Sequence, residues 1–465
     1  MIRTLGFENF KRFKSESLDL TKPITLMYGE NSSGKSSALK GLAALIQTFS
    51  WTRNKHEAFV AHGDYTNLGI YRDYVYNHDV SNKISILLTV PPDRWYGKFG
   101  NGKVVDFKIR LCYDRHIFTE QARIYSVEAV VNFLDGTFRE LLRLKRAETK
   151  AYYTLVTDSE ALEVEANLFG RNKYSAKDLR RVAGLKTKLK YTEKFSFGFV
   201  NAEEEDSLPG VKLRIFERMM YLIYHLPESY KYLGPLRSSP SRSYTISAAS
   251  SDVGGTGENT PSVISYLKRS SESNRSNRDA YRKILHWIDL IFPGRSISVE
   301  DFEELVKIKV IRGGVADSIQ DVGFGFSQVL PIIVQTAACR PGNVIVIEQP
   351  ELHLHPRAQV SFAKFLVEAS RDGKHFIIET HSEHILRGLQ LAISEHSLDS
   401  EVGMSKDDLK VYYFPSEADA KIFEIGITED GELAEGWPAG FFDESYNLTK
   451  RIISNKIRRL TGEVI

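Results

Sequence analysis

The sequence predicts an α/β fold with a mixed central sheet, an antiparallel β layer and an inserted α+β or helical lobe. Three observations predict it. A short apolar strand at residues 24–28 runs straight into a Gly-rich loop and then into a helix, where Leu39, Leu42, Ile46 and Phe49 recur at three- and four-residue intervals. Short apolar or alternating runs, at 84–88 and 104–109, then suggest antiparallel strands between 84 and 134. A second strand–helix series runs from about 296 to 425.

Ahead of the loop, residues 2–9 and 15–20 read as short strands broken by turns. Between 146 and 227 the apolar pattern weakens and charge rises, as in an insertion ending in a helix at 211–226. Residues 238–283 are rich in Ser, Asn, Gly and Arg, which suggests loops and a mobile helical lobe. The chain therefore divides into an N-terminal part of a head at 1–145, the lobe at 146–227, the C-terminal part of the head at 228–440, and a helical tail at 441–465. No 20–50-residue period and no sustained heptad occurs, which excludes a repeat array and a long coiled-coil arm.

At 465 residues, 42% of them hydrophobic, the chain can fill two or three domain cores. Its 62 Lys and Arg nearly cancel 60 Asp and Glu, so net charge identifies no partner and any nucleic-acid contact must come from a local cluster. Cys112 and Cys339 are far apart with no neighbouring Cys/His set, which argues against a disulfide framework or a structural zinc. A reducing, cytoplasmic setting is expected. No apolar run reaches the roughly 18 residues of a membrane span, and no basic-then-apolar segment opens the chain.

The strongest local signal is Gly29-Glu30-Asn31-Ser32-Ser33-Gly34-Lys35-Ser36, which fits G-x-x-x-x-G-K-[ST]. Glycines at 29 and 34 let backbone N–H groups close around phosphate, Lys35 meets the β/γ-phosphates, and Ser36 can ligate Mg²⁺. The helix that follows points its positive end at the anion. Candidate nucleotide-binding residues are Gly29, Asn31, Ser33, Gly34, Lys35, Ser36 and Ser37, with ATP and Mg²⁺ as the expected ligands. Downstream, residues 343–348 form an apolar strand ending in Glu348, the form that delivers a carboxylate to the metal.

Asn9-Phe10-Lys11-Arg12-Phe13 and Glu348-Gln349-Pro350-Glu351-Leu352-His353-Leu354-His355-Pro356 are similar to the N-terminal and Walker B signatures of SMC, RecF and OLD-type ATPases. Gly323-Phe324-Gly325-Phe326-Ser327-Gln328 resembles the ABC-type signature loop, and Phe376-Ile377-Ile378-Glu379-Thr380-His381-Ser382 resembles the switch strand with its histidine. The resemblance implies an ABC/SMC-head P-loop ATPase that clamps ATP and Mg²⁺ in a homodimer or higher homo-oligomer. It places Arg12 beside the nucleotide, Ser327 and Gln328 across the dimer on the partner's γ-phosphate, and Glu348 on the metal with Ser36. Gln349, Glu351 and His381 then stand at catalytic positions. Residues 232–237 and 437–443 resemble a subgroup associated with bacterial anti-phage systems. Locally, Ser327 is expected to cap a helix beginning at Gln328, with Pro331 closing its first turn.

One departure matters. Related ATPases carry a second acid after the first, whereas here the pair is Glu348-Gln349, and a glutamine cannot accept a proton. Glu348 could serve both metal and water, Glu351 could supply the base, or hydrolysis could be slow by design; slow hydrolysis is the favoured expectation. His355 falls where relatives carry the acid of the D-loop.

A basic stretch from Arg171 to Lys194, interleaved with Tyr174 and Tyr191, is a candidate nucleic-acid contact, and Lys268, Arg269, Arg275, Arg278, Arg282 and Lys283 form a second cluster. The nuclease domain of OLD enzymes needs more chain than follows His381, and the tail instead carries a basic amphipathic stretch at 448–460. Two classes of function stay open: an ATP-gated scaffold that holds an effector, a nuclease or toxin, in trans, or a RecF-like ATPase acting directly on nucleic acid. No membrane partner is expected.

Overall fold

The computed structural model describes residues 1–50, 57–92, 104–146, 152–157, 187–191, 199–201, 220–246 except 222 and 225, 251–435 except 418 and 419, and 448–455 except 449. In chain order the strands are β1 (Thr4–Phe10), β2 (Phe13–Asp19), β3 (Ile24–Gly29), β4 (Ile84–Val90), β5 (Val104–Arg115), β6 (Ala122–Phe133), β7 (Phe138–Arg146), β8 (Tyr152–Thr157), β9 (Thr187–Tyr191) and β10 (Phe199–Asn201). They continue with β11 (Tyr230–Leu233), β12 (Tyr244–Thr245), β13 (Arg295–Phe302), β14 (Leu305–Arg312), β15 (Val315–Ser318), β16 (Val344–Glu348), β17 (His375–Glu379), β18 (Leu409–Phe414) and β19 (Phe423–Ile425).

The expected α/β layout is observed. A six-stranded sheet runs β11-β16-β17-β3-β18-β19, parallel except for β19 at its edge. Its strands are apolar on both faces, as a sheet covered on both sides requires: β16 and β18 are buried at every position. A nine-stranded antiparallel sheet, β10-β9-β8-β7-β6-β5-β4-β1-β2, forms the second layer, and β12, β13, β14 and β15 make a small third sheet. Strands β8 to β10 fall within the expected lobe at 146–227 but extend the antiparallel layer, and the boundary at 145/146 cuts β7. Of the helix expected at 211–226, residues 220, 221, 223, 224 and 226 are described and helical; residues 211–219, most of the basic stretch at 171–194 and residues 437–443 lie outside the described residues.

Packing explains how the N-terminal motif supports the loop. Phe7 stacks on both Phe10 and Phe13 beneath the helix Lys35–Phe49. Gly41 faces them, and a Cβ there would sit 2.5 Å from the Phe7 ring. On the other side of the parallel sheet the helices Pro356–Arg371 and Glu383–Leu398 link β16 to β17 and β17 to β18. They approach closely because Gly388 has no side chain: a Cβ would stand 2.6 Å from Ala363 Cβ.

The residues expected to form a mobile lobe include two helices, Thr260–Ser270 and Arg275–Ile291, whose apolar faces enter the core through Ile264, Ile284, Trp287 and Ile288. Their basic cluster is largely committed within the molecule. Arg269 pairs with Asp301, Lys283 with Asp372, Lys268 donates to the Val299 carbonyl, and Arg278 donates to the carbonyls of Ser271 and Glu272. Both cysteines are buried and free. Among the described residues no helix is long and apolar enough to cross a membrane.

A Gly388→Val substitution forces the two helices apart and is expected to lower unfolding free energy by about 1–3 kcal/mol. The check is a shift in the denaturant midpoint with an unchanged slope.

Candidate functional site

The loop expected to hold phosphate is built for it. It leaves β3 at Gly29, with φ 145°, passes through Ser32 at φ 64°, and enters the helix at Gly34, with φ 98°. A side chain at 29 would strike the Phe414 carbonyl oxygen at 2.2 Å, and one at 34 would strike the Arg12 side chain at 2.4 Å. Positive φ and crowding both demand glycine at these two positions. Lys35 is buried and folds back, its Nζ donating to the carbonyls of Gly29 (2.8 Å) and Glu30 (2.7 Å). Burial lowers its pKa, with Glu379 the largest opposing charge. The ammonium thus rests on the carbonyls of its own loop. Asn31 and Ser32 are exposed, Ser33 is buried, and Ser36 and Ser37 are half-buried at the helix start.

Arg12 lies over the loop, donating to Glu417 O (2.7 Å) and Ser32 O (3.4 Å). It is therefore brought to the loop as expected.

The acids converge through sheet register. Glu348 ends β16 and Glu379 ends β17, and the two are paired positions on neighbouring parallel strands. Ser36 donates from Oγ to Glu379 Oε1 at 2.8 Å. Glu348 instead accepts a hydrogen bond from the Tyr232 hydroxyl, while its backbone carbonyl accepts from Arg237 Nη2 at 2.8 Å. Arg237 is buried between the charges of Glu351 and Glu348, and burial lowers its pKa to about 10. Its Nε and Nη1 find no partner among the described residues.

Glu351 does not stand free as a base. Its two oxygens accept from Thr380 Oγ1 (2.7 Å) and the His381 backbone N–H (2.7 Å). Ser382 continues this brace: its side chain caps the next helix at Ile385 N, and its carbonyl accepts from Tyr28 OH. The turn bearing His381 is thereby fixed, with the His381 ring exposed and its pKa lowered by partial burial and then by the charge of Lys35. Gln349 adopts φ 45° and donates its backbone N–H to Glu379 O at 2.7 Å, while its half-buried side chain makes no hydrogen bond among the described residues. His355 caps the helix Pro356–Arg371 by accepting from Arg357 N.

The 323–328 segment differs from its sequence expectation. Its helix spans Phe324–Ala338 with Gly323 at the cap position, so Ser327 lies inside the first turn and donates back to Phe324 O at 2.8 Å. Pro331 is consequently interior to the helix. The earlier start has a visible cause: Phe324 packs edge-on against His353, and Gly325 lies so close to the His353 carbonyl that a Cβ would sit 2.4 Å from it. Gln328 is buried with its Nε2 unpartnered among the described residues. No hydrogen bond among the described residues joins Ser327 or Gln328 to the 29–36 loop.

Tyr232 and Glu379 were not singled out as site residues by sequence. For Glu379 a signal existed, since it ends the apolar strand 376–378 as Glu348 ends 344–347. The residues present suit Mg-ATP: a glycine-cornered loop, a lysine parked on loop carbonyls, and a buried carboxylate on Ser36 with one oxygen, Glu379 Oε2, unpartnered among the described residues. Mg²⁺ is commonly held by one or two carboxylates together with substrate phosphates, which this donor set can supply.

Burial, with the nearby charge of Glu379 adding to it, raises the Glu348 pKa from 4.5 to about 7. The folded protein therefore keeps a proton between pH 4.5 and 7 that the unfolded chain gives up, and stability falls as pH rises through that window. Glu348→Gln is expected to flatten this fall by up to about 3 kcal/mol in nucleotide-free protein. Unfolding midpoints of both proteins at pH 5 and pH 8 provide the check.

A family match agrees with this geometry. Residues 1–386 match the family described as AAA ATPase domain, and residues 404–452 match a family described as a protein of unknown function, DUF3696. No curated protein matches the chain. Among solved structures, an SmcHead bound to the C-winged helix domain of ScpA is 10% identical, covering 91% of this chain and 98% of that one, with a TM-score of 0.43. The SMC head domain from Thermotoga maritima is 11% identical, covering 92% and 99%, with a TM-score of 0.36. A Smc head domain with an extended coiled coil, bound to the C-terminal domain of ScpA derived from Pyrococcus furiosus, is 11% identical, covering 91% and 96%, with a TM-score of 0.38. With a phosphate loop, a facing acidic strand end and a family match running from residue 1 to residue 386, the chain belongs to the AAA ATPase domain family.

Proposed function

We propose that this protein binds ATP with Mg²⁺ at the 29–36 loop, dimerises around the nucleotide, hydrolyses it slowly and gates an effector protein in trans. The commitment of both Glu351 oxygens to the His381 turn carries this reading. With Gln349 at the usual base position and Glu351 occupied, neither is free to take the proton of the attacking water, and Glu348, hydrogen-bonded to Tyr232, holds the metal.

In this mechanism the loop N–H groups and Lys35 bind the phosphates, and Ser36 and Glu348 hold Mg²⁺. Bound Mg²⁺ would supply charge neutralisation at the β- and γ-phosphates. Gln349 orients the attacking water by hydrogen bonding without taking its proton, and His381, fixed on its braced turn, contacts the γ-phosphate. General-base assistance is worth about 10²–10⁴ in rate, so turnover from positioning and charge stabilisation persists at a low level. Ser327 and Gln328, which make no hydrogen bond to their own loop among the described residues, serve the partner's nucleotide. The effector, a nuclease or toxin of a bacterial anti-phage system, is assigned from the resemblance at 232–237 and 437–443.

The alternative, a RecF-like ATPase acting on nucleic acid, finds little support in the second basic cluster, whose Lys268, Arg269, Arg278 and Lys283 are spent on internal partners.

Phosphate release at saturating Mg-ATP should be slow in the wild type, absent in Lys35→Ala, and faster by about 10²-fold or more in Gln349→Glu. Turnover that is brisk in the wild type and stimulated by duplex DNA would instead establish the nucleic-acid reading. Light scattering with ATP should also show a dimer or larger assembly that Lys35→Ala does not form.

A further inference from the structure

Glu379 has no assigned role in the motifs that identify the site, yet it is the carboxylate nearest the phosphate loop in the sheet. Strand β17 lies directly between β3 and β16, so Glu379 is one strand away from the loop-bearing strand and Glu348 is two. Neighbouring strands are spaced about 4.8 Å apart, which leaves Glu348 roughly twice as far from the β3 axis as Glu379. Register sharpens the placement: Glu379 pairs with Met27, two residues before Gly29.

Side-chain contacts agree. The hydroxyl of Ser36, the loop residue that meets the cation in this loop type, donates to Glu379 Oε1 at 2.8 Å. The other oxygen is buried and unpartnered among the described residues, in a side chain only 2% exposed. A buried carboxylate oxygen left without a donor is costly. Glu348 lies at the paired position of the next strand, and like charges so placed raise each other's cost. The Lys35 charge offsets part of this cost, but its ammonium donates to the Gly29 and Glu30 carbonyls and gives Glu379 Oε2 no hydrogen bond.

We propose that Glu379 is the second metal-positioning carboxylate of the nucleotide site, reaching the cation from the Ser36 side, so that the ion is held between strand ends β16 and β17. This rests on the proposed binding of Mg-ATP at the loop. In that arrangement Glu348 on β16 and Glu379 on β17 flank the cation, and Gln349 is free to hold water.

The experiment is a Mn²⁺ titration of the ATP complex followed by electron paramagnetic resonance, with ATP binding in EDTA measured alongside. In Glu379→Gln the apparent Mn²⁺ affinity should fall about 10–100-fold, while ATP binding in EDTA does not weaken. Retained binding in EDTA also reports a folded loop. Should Glu379→Gln fail to fold, Glu379→Asp withdraws the carboxylate by one methylene and should weaken Mn²⁺ several-fold. Mn²⁺ affinity within twofold of wild type in either folded variant overturns the role of Glu379 while leaving nucleotide binding intact. A wild type that binds no ATP even in EDTA overturns the nucleotide reading itself and this proposal with it.

Discussion

The parallel register of β3, β17 and β16 is the constraint on which the site depends. It sets Glu379 and Glu348 level with Met27, two residues before the loop opens at Gly29, with Glu379 on the adjacent strand and Glu348 one strand beyond. Each end then turns sharply, at Gly29 and Gln349 with positive φ and at Thr380 through hydrogen bonds to Glu351. A one-residue slip of β17 would move Glu379 to the opposite face of the sheet and leave Ser36 without its partner. The continuous burial of these strands, by the helices Pro356–Arg371 and Glu383–Leu398 on one side and the helix Lys35–Phe49 with the antiparallel layer on the other, makes such a slip costly.

The second constraint is electrostatic. Lys35, Arg237, Glu348 and Glu379 are all buried, and burial is the leading influence on each, lowering the bases and raising the acids. Partial pairings soften this cost without removing it, since Arg237 donates to a backbone carbonyl through Nη2 while its Nε and Nη1 have no partner among the described residues. The site is thus a preorganised set of charges with unfilled hydrogen-bonding capacity, the condition under which an incoming charged ligand gains most.

Much of this was legible in the sequence because phosphate binding is a local property. Strand, glycine loop, lysine and helix are contiguous, and residues 24–49 behave as their spacing predicts. The braced turn at Thr380–Ser382 and the placement of Glu379 against Ser36 were not legible, because they arise from pairing between segments far apart in the chain. The helix start at Phe324 was misplaced for a related reason. Ser327 looks like a cap and Pro331 like a first-turn residue, but contacts of Phe324 and Gly325 with His353 draw the helix one turn earlier, and Gly257 leaves room for the Pro331 ring. Strands β8 to β10 carry little pattern of their own and take their conformation from the sheet they extend.

The same register sets a schedule for synthesis on the ribosome. Strand β3 is made early, but both of its neighbours, β17 and β18, come from residues 375–414, and Asp19 is held by Lys410 and Tyr412 from the far end of the chain. At about 5–20 residues per second the loop-bearing strand waits roughly 20–80 s for its last partner. During that interval the antiparallel layer, whose strands follow one another along the chain, can assemble first and shelter the N-terminal apolar face. A nascent chain halted before residue 409 would leave β3 with an open edge, exposed to pairing with other chains or to chaperone capture.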